Sequence, residues 1–277
     1  MILFEILWNL FRKSLGSKLY VWLKKSRFGR ASNYYSISTY RDVFEHYKYA
    51  GVDFQSKRIL EVGCGEQFYT ACYFLSSGAE SVTLVDPVFG ENARIAMSKH
   101  VSEYNEKNNQ NFDPSKLNIS YLKSFEEIPV SANANFDIIC SHFVLEHFSS
   151  LDSYFSNVSR LLSKDGISYN IVDLSNHTYH VFDSRTCTKW IYRKQMLSHL
   201  KFSDSFYNMI TDKRIWVNRL LLPAYKSLAE KYDLSVIDID VQKCAKSKIH
   251  KDVIIRNSPS TEEDFCITHF SITLQKR

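Results

Sequence analysis

Strand-like and helix-like segments alternate along most of this chain, and that alternation limits its possible folds more than any other feature. Short apolar runs end at glycine, at aspartate or in a turn, and helix-like stretches separate them. Because a helix that crosses over between neighbouring strands leaves them parallel, the pattern predicts an α/β fold with a parallel sheet and right-handed crossovers. The five strand-like runs are residues 58–63, 82–86, 119–122, 136–143 and 167–173.

The C-terminal third departs from this alternation. From residue 174 to about residue 230 the chain is aromatic and basic, which predicts a mainly helical insertion. Strand-like runs return at 234–241 and 265–274, and the polar loop between them predicts an antiparallel hairpin at the edge of the sheet. We therefore expect a helical extension over residues 1–50 and one domain over residues 51–277, with the insertion inside it.

The positive charge is concentrated at the N-terminus. The whole chain carries a net charge of +5, but residues 1–30 alone carry +6, so the remainder is close to neutral. Apolar runs at 2–11 and 19–23 precede most of these cations, which is the reverse of the order in a signal peptide. Two interpretations stay open: a helix over residues 2–25 lying in the interface of an anionic membrane, or a cover helix packed on the domain. The cations are Arg12, Lys13, Lys18, Lys24, Lys25, Arg27 and Arg30.

Composition excludes several classes of protein. No apolar run approaches the roughly 18 residues of a membrane-spanning helix, and no basic patch covers the body of the chain, which argues against nucleic-acid binding. The six cysteines form no C-x-x-C pair, so they resemble the small buried thiols of a reducing compartment. A cytoplasmic protein is therefore expected.

A glycine loop follows the first predicted strand. Gly63-x-Gly65 lets the backbone turn tightly and approach a ligand, and Asp86 ends the next strand. A carboxylate at that place can accept hydrogen bonds from both hydroxyls of a ribose, which predicts a nucleotide-like cofactor. A dinucleotide site would require a third glycine where Phe68 stands, so that interpretation is weak.

These residues resemble the first motifs of class I S-adenosylmethionine-dependent methyltransferases. The resemblance begins with Glu61-x-Gly63-x-Gly65 and continues through FDIICSHFVLEHF and LLSKDGISYNIVD, over roughly residues 50–175. It implies a Rossmann-like sheet and S-adenosylmethionine as cofactor. It also implies that Glu61 orients the glycine loop and helps to hold the methionine amino end, while Asp86 binds the ribose.

Other positions of the cofactor site follow from the same resemblance. Gln67 stands where a third glycine is often found, and its backbone would serve instead. Ser124 stands where the family often has an aspartate for the adenine amino group, and Phe125 would lie against the adenine ring or pack in the core. His147 would shape the cofactor pocket. His142, at the end of the fourth strand, is either a neighbour of the same pocket or a core histidine.

Methyl transfer to oxygen requires a base with a pKa near neutrality, and histidine is the usual choice. The segment 173–183 resembles a D-L-x-x-H element of methyltransferases from bacterial surface-polysaccharide clusters. This likeness implies a sugar hydroxyl as acceptor, His177 as base and Asp173 as its orienting partner. It also implies acceptor contacts from a later N-R-L, Asn218 to Leu220. Tyr34, Tyr35, Tyr40, Lys189, Trp190, Tyr192 and Arg193 are candidates for an acceptor groove.

The sequence thus predicts O-methylation of a sugar or glycan precursor, which a lipid could carry. Methylation of another small or lipid-like molecule, such as a quinone precursor, stays open, as does a non-catalytic cofactor-binding module. The nucleic-acid motifs N/D-P-P-Y/F and Pro-Cys are absent from the chain. A metal held by His177 and His180 with Asp173 and Asp183 is a weaker alternative, so no metal is expected.

Overall fold

The computed structural model of the chain describes residues 2–14, 37–49, 51–65, 67–88, 90, 92–132, 135–177, 196–243 and 248–277. Seven strands form one sheet in the order β3-β2-β1-β4-β5-β7-β6. The first five are mutually parallel, whereas β7 pairs antiparallel with both β5 and β6. The predicted α/β sheet with an antiparallel hairpin at one edge is therefore confirmed. The strands are β1 Arg58–Val62, β2 Ser81–Val85, β3 Ile119–Leu122, β4 Phe136–His142, β5 Leu162–Asp173, β6 Leu234–Lys243 and β7 Ile267–Lys276.

Helices cover both faces of the sheet and bury a separate hydrophobic core on each. On one face α2, α3 and α4 enclose an aromatic core in which the ring of Phe44 stacks on that of Tyr73 at 5.3 Å. On the other face α5 and α7 pack through Phe155 and Tyr225. The helices are α1 Ile2–Ser14, α2 Ile37–Tyr49, α3 Tyr69–Ser76, α4 Ala93–Asn108, α5 Leu151–Leu161, α6 Asp204–Ile210, α7 Leu222–Lys231 and α8 Lys251–Arg256.

Two predicted boundaries are wrong. The polar composition of residues 105–116 predicts a loop, but the chain is helical as far as Asn108. The side-chain amide of Asn105 holds both backbone groups of Phe112. The left-handed backbone of Asn109, with φ +52°, then ends the helix. The fifth strand begins at Leu162 rather than at residue 167, with an irregular pairing against the start of β4.

The segment after β5 is described at residues 174–177 and again from residue 196 onward. There, α6, α7 and short 3₁₀ turns agree with the predicted helical insertion, while residues 178–195 lie outside the described part. At the N-terminus, Ile6 of α1 packs against the small core that contains Tyr207 and Ile210 of α6. The Nζ of Lys13 donates a 2.6 Å hydrogen bond to the carbonyl oxygen of Met209. Helix α1 therefore contacts the domain, as the cover-helix interpretation expects.

Among the described residues, no helix combines the length and the apolar character that crossing a membrane requires.

Candidate active site

The loop between β1 and α3 needs glycine at its first turn. Gly63 has φ +80°, and a Cβ atom there would lie 2.2 Å from Cγ2 of Val144. Its N–H donates a 2.8 Å hydrogen bond to the carbonyl oxygen of Val85, which fixes the loop beside β2. Gly65 also has a left-handed backbone, with φ +66°. A side chain at Gly63 would therefore both strain the backbone and collide with the segment after β4.

Asp86 closes this loop from the end of β2. Its Oδ2 accepts a 2.7 Å hydrogen bond from the N–H of Gly65, and its Oδ1 accepts a 3.0 Å bond from the N–H of Val88. Each carboxylate oxygen has two lone pairs, so both can still accept a ribose hydroxyl. Asp86, the residue predicted to bind the ribose, thus also holds the glycine loop in place.

Glu61 lies behind the loop rather than in the cavity. It is buried in β1 and accepts a hydrogen bond from the hydroxyl of Thr70 in α3. Burial raises the pKa of Glu61 to about 7, and the nearby charge of Asp86 adds to this, while the Thr70 hydrogen bond opposes it. The contact ties the strand before the loop to the helix after it, which fits the predicted role of orienting the loop.

A cavity of about 530 Å³ opens at the carboxyl ends of β1, β2 and β4. Its walls include glycine-loop backbone, the Asp86 carboxylate and three phenylalanine side chains, a combination that suits a nucleoside with a charged tail. We therefore find that the residues present fit S-adenosylmethionine. The predicted cofactor residues that line the cavity are Gly63, Gly65, Asp86, Ser124, Phe125 and His147.

Phe125 serves the core and the cavity together. Its side chain is 6% exposed, it packs edge-on against the ring of Tyr154 at 6.0 Å, and it forms part of the cavity wall. Ser124 precedes it and hydrogen-bonds Glu126, which lowers the pKa of that carboxyl from its ordinary value. Both predicted roles of Phe125 are thus compatible.

Two other predicted cofactor residues lie elsewhere. Gln67 is half-buried ahead of α3 and does not line the cavity. His142 faces α2, where its ring stacks on that of His46 at 5.6 Å and meets the ring of Tyr47 edge-on. Burial lowers the pKa of His142 to about 4, with a contribution from His46. Its surroundings are therefore those of a core histidine, the other interpretation that the sequence left open.

Asp173, at the end of β5, holds a histidine on each side. Its Oδ2 lies 3.4 Å from Nε2 of His177, and its Oδ1 lies 3.1 Å from Nε2 of His269. The N–H of Ser175 also donates a 2.7 Å bond to Oδ1. Burial alone would raise the pKa of Asp173, but the hydrogen bonds and charges of His177 and His269 lower it well below its usual range.

His177 contacts His147, which in turn lines the cofactor cavity. The two rings are 4.8 Å apart, and His147 lines the cavity. Nδ1 of His147 donates a 2.8 Å hydrogen bond to the carbonyl oxygen of Trp216, so Nε2 carries the free lone pair. Partial burial lowers the pKa of His147, with a further contribution from His177, although one edge of its ring meets solvent.

Glu146 completes a group that could hold a metal ion. Its carboxylate is 1% exposed, and burial, with the charge of Asp173, raises its pKa well above the ordinary value. One ligand atom each from Glu146, His147 and His177 lies within 4.8 Å of the others. This set differs from the alternative considered from sequence, of which His180 and Asp183 lie outside the described residues.

The predicted acceptor contacts of Asn218 and Arg219 are wrong. The amide of Asn218 donates to the carbonyl oxygens of Leu145 and Phe148, at 2.8 and 3.2 Å, and so fixes the turn that carries Glu146 and His147. Arg219 is 4% exposed, donates to two backbone carbonyls and pairs with Asp204. Both side chains are used within the fold, which leaves them no surface for an acceptor.

A second cavity of about 320 Å³ adjoins the first on the α2 side of the sheet. The two cavities share Phe143, a residue with a left-handed backbone of φ +56°. His269 lines the second cavity, and sequence reasoning missed it. Its only sequence signal was its place in the last predicted strand, because the register that sets it opposite Asp173 depends on the sheet.

Of the residues predicted to line an acceptor groove, the structure describes Tyr40. Its hydroxyl lies close to the glycine loop, 3.8 Å from where a Cβ atom added to Gly65 would stand. The other groove candidates, Tyr34, Tyr35, Lys189, Trp190, Tyr192 and Arg193, lie outside the described residues.

Three solved structures that share this fold are described as methyltransferases. An S-adenosylmethionine-dependent methyltransferase from Mesorhizobium loti aligns over 84% of this chain and 96% of its own, with a TM-score of 0.51 and 12% identity. A protein from Listeria monocytogenes assigned to the same class aligns over 85% and 99%, with a TM-score of 0.50 and 17% identity. One from Galdieria sulphuraria, assigned as a sarcosine dimethylglycine methyltransferase, aligns over 87% and 86%, with a TM-score of 0.50 and 15% identity.

Sequence comparison is more specific than these structural likenesses. Comparison with curated proteins finds no match. The sequence profile of the methyltransferase-domain family, however, matches residues 38–238, which is more than half of the chain and contains the glycine loop, Asp86, Asp173 and His177. With a cavity that fits S-adenosylmethionine, this chain belongs to the methyltransferase-domain family and is an S-adenosylmethionine-dependent methyltransferase.

Proposed function

We propose that this enzyme methylates a hydroxyl oxygen of a sugar or glycan precursor, with His177 as the general base. The pairing of His177 with Asp173 at the carboxyl edge of the sheet carries the proposal. A carboxylate this close to a histidine nitrogen stabilises the imidazolium that forms when the histidine accepts a proton. Asp173 suits this role because its pKa lies well below the usual range, so it is ionised at neutral pH.

The reaction balances with these residues alone. When bound, S-adenosylmethionine supplies a methyl group on a positively charged sulfur. His177 accepts the proton of the acceptor hydroxyl as the oxygen–methyl bond forms and the methyl–sulfur bond breaks. The products are then the methyl ether, S-adenosylhomocysteine and a protonated His177, which the Asp173 carboxylate stabilises. The protein contributes the alignment of the three reacting atoms and the exclusion of water.

The second cavity supports a sugar as acceptor. Its volume of about 320 Å³ has room for one sugar ring, and it adjoins the cofactor cavity at Phe143. The ring of Tyr169 offers a flat apolar face, while Asp240 and Gln242 offer hydrogen-bonding groups. Such a mixture suits a ring that has hydroxyls on its edge and C–H groups on its faces.

Cytoplasmic sugar precursors, nucleotide-activated or linked to a lipid, are the acceptors we expect. Cys64, Cys72 and Cys140 are buried free thiols, which fits a reducing compartment. An acceptor screen should contain free sugars, nucleotide sugars, lipid-linked glycans and, for the other class left open by the sequence, a phenolic quinone precursor. Transfer to the phenol but to no sugar would contradict the proposed acceptor.

The base is tested by replacing His177 with glutamine, which is similar in size but cannot accept the proton. Loss of a general base costs about 10²–10⁴-fold in rate. We expect that loss in kcat for His177→Gln, with an unchanged Kd for S-adenosylhomocysteine by calorimetry. His250→Gln, on a histidine that caps α8, is the matched control and should behave as wild type. Equal turnover in His177→Gln and wild type would remove His177 from the role of base.

A further inference from the structure

We propose that α1 and the end of α6 form a docking surface for an anionic lipid bilayer. This surface, called the outer face below, comprises Leu7, Leu10 and Phe11 of α1 with Met209 of α6. The proposal concerns where the enzyme works and does not depend on the acceptor or on the base.

The orientation of α1 is the reverse of that in an ordinary surface helix. Its polar residue Asn9 is 2% exposed, whereas Leu7 is 56% and Leu10 43% exposed. A helix that serves only to cover a domain buries its apolar side chains and turns its polar ones to solvent. Because Leu7, Leu10 and Phe11 are spaced three and four residues apart, they share one side of the helix. The apolar side that α1 turns outward is therefore continuous.

Helix α1, which carries most of the outer face, is attached to the domain by two contacts. Ile6 packs on the core around Tyr207 and Ile210, and Lys13 donates its hydrogen bond to the carbonyl oxygen of Met209. These two contacts attach α1 along the side of α6. Met209, whose carbonyl oxygen accepts that hydrogen bond, has a side chain that is 57% exposed. Four large apolar side chains of α1 and α6 are thus each at least 43% exposed, which is unusual for a surface that meets only water.

Charge indicates which partner covers the outer face. Lys13 stands at its border, and the first thirty residues carry a net charge of +6 while the rest of the chain is nearly neutral. An anionic bilayer offers both complements in one surface, acyl chains for the apolar side chains and head groups for the cations. Few apolar side chains give only weak, reversible binding, so the cations make a necessary second contribution.

Vesicle sedimentation of the full chain tests this proposal. The probes are vesicles of phosphatidylcholine alone and of equal parts phosphatidylcholine and phosphatidylglycerol, at low and at high salt. We expect binding to the anionic vesicles at low salt, with at least about tenfold weaker binding at high salt because screening removes the contribution of the cations. No binding to anionic vesicles at low salt would overturn the proposal.

The contribution of the outer face is isolated with paired variants. Leu7→Ser with Leu10→Ser should weaken binding to anionic vesicles by at least about tenfold. Ile254→Ser with Ile255→Ser, on exposed apolar residues of α8, is the matched control and should bind like wild type. Because all four side chains meet solvent, the unfolding temperature and S-adenosylhomocysteine binding of both variants should be preserved.

Two results would overturn the assignment of the outer face. One is equal vesicle binding by the Leu7/Leu10 variant and wild type. The other is a wild-type dimer in light scattering that the Leu7/Leu10 variant abolishes, because the outer face would then join two copies of the chain. Neither result would bear on methyl transfer, which is measured with soluble substrates.

Discussion

Nε2 of His269 lies 3.1 Å from Oδ1 of Asp173, directly across the antiparallel pairing of β5 with β7. The other carboxylate oxygen meets His177, so one buried aspartate orients two histidines at the edge of the sheet. The two are not equivalent, because His177 adjoins the cofactor cavity through His147 whereas His269 lines the second cavity. Under the proposed function, His177 accepts the proton of the acceptor and His269 positions Asp173.

This assignment predicts different responses to the same substitution. His269→Gln keeps a donor within reach of Asp173, so kcat should stay within a few-fold of wild type, whereas His269→Ala should lower it by about tenfold. Loss of the His269 contact should also raise the pKa of Asp173 toward its ordinary value, so the loss in kcat should deepen at acid pH, where the Asp173 carboxylate becomes protonated. Steady-state kinetics against pH measures both effects. A loss in His269→Gln as large as that in His177→Gln would reverse the two roles.

Gly63→Ala should lower the free energy of unfolding by more than the left-handed backbone angle of Gly63 alone would explain. The left-handed angle costs about 1 kcal/mol for alanine, and the collision with Val144 adds about 1–3 kcal/mol. Gly51→Ala is the matched control, because Gly51 has φ +75° but no atom within 4 Å of an added Cβ. Urea unfolding should show the larger loss for Gly63→Ala, with weakened S-adenosylhomocysteine binding only in that variant. Equal losses in the two variants would contradict the close approach of Val144.

Asp86→Ala should weaken S-adenosylhomocysteine binding by about 10–100-fold, since hydrogen bonds to a charged group contribute about 1.5–3 kcal/mol each. Part of this loss comes from the loop, because Asp86 accepts hydrogen bonds from the N–H groups of Gly65 and Val88. Asp86→Asn keeps one acceptor oxygen and should lose less. Calorimetry with S-adenosylhomocysteine measures the effect, with NAD as the control ligand. Binding of NAD by the wild type would contradict the cofactor assignment.

The sequence predicted the cofactor site better than the rest because the signals of that site are local. The glycine loop and Asp86 sit at the ends of consecutive parallel strands, and such ends always meet at one edge of the sheet. The prediction of a sheet edge with Gly63, Gly65 and Asp86 together therefore required no knowledge of side-chain packing.

Residues whose roles depend on packing were predicted less well. His269 meets Asp173 only through the register of two strands that are far apart in the chain, and register depends on the packed faces of the sheet. The resemblance to an N-R-L element implied that Arg219 contacts the acceptor. The structure instead surrounds it with Asp204 and backbone carbonyls, partners that no local pattern announces.

Glu61 should make stability fall as pH rises from about 4.5 to about 7. Its pKa in the folded protein is about 7, above that of an unfolded glutamate, so the folded state keeps a proton that the unfolded state has released between about pH 4.5 and pH 7. Stability therefore decreases with pH across that window, by about 3 kcal/mol in total. Glu61→Gln removes this dependence and retains an acceptor for Thr70. Glu45→Gln, on an exposed residue of α2, is the control.

Urea unfolding at pH 5 and at pH 8 checks this prediction. The difference in unfolding free energy between Glu61→Gln and wild type should be larger, in favour of the variant, at pH 8 than at pH 5. The Glu45→Gln variant should follow wild type at both pH values. A pH-independent difference between Glu61→Gln and wild type would show that the buried carboxylate is ionised throughout.

Zinc should inhibit this methyltransferase, because the group that could hold a metal contains the proposed base. Glu146, His147 and His177 bring one ligand atom each within 4.8 Å of the others, and a nitrogen that binds Zn²⁺ cannot accept a proton. Inhibition should strengthen as pH rises, since Glu146 has a raised pKa and must lose its proton to bind the ion. Glu146→Gln should weaken Zn²⁺ binding in calorimetry. Turnover should be unchanged by EDTA. If EDTA abolished turnover and added metal restored it, the ion would instead take part in the reaction and His177 would be its ligand.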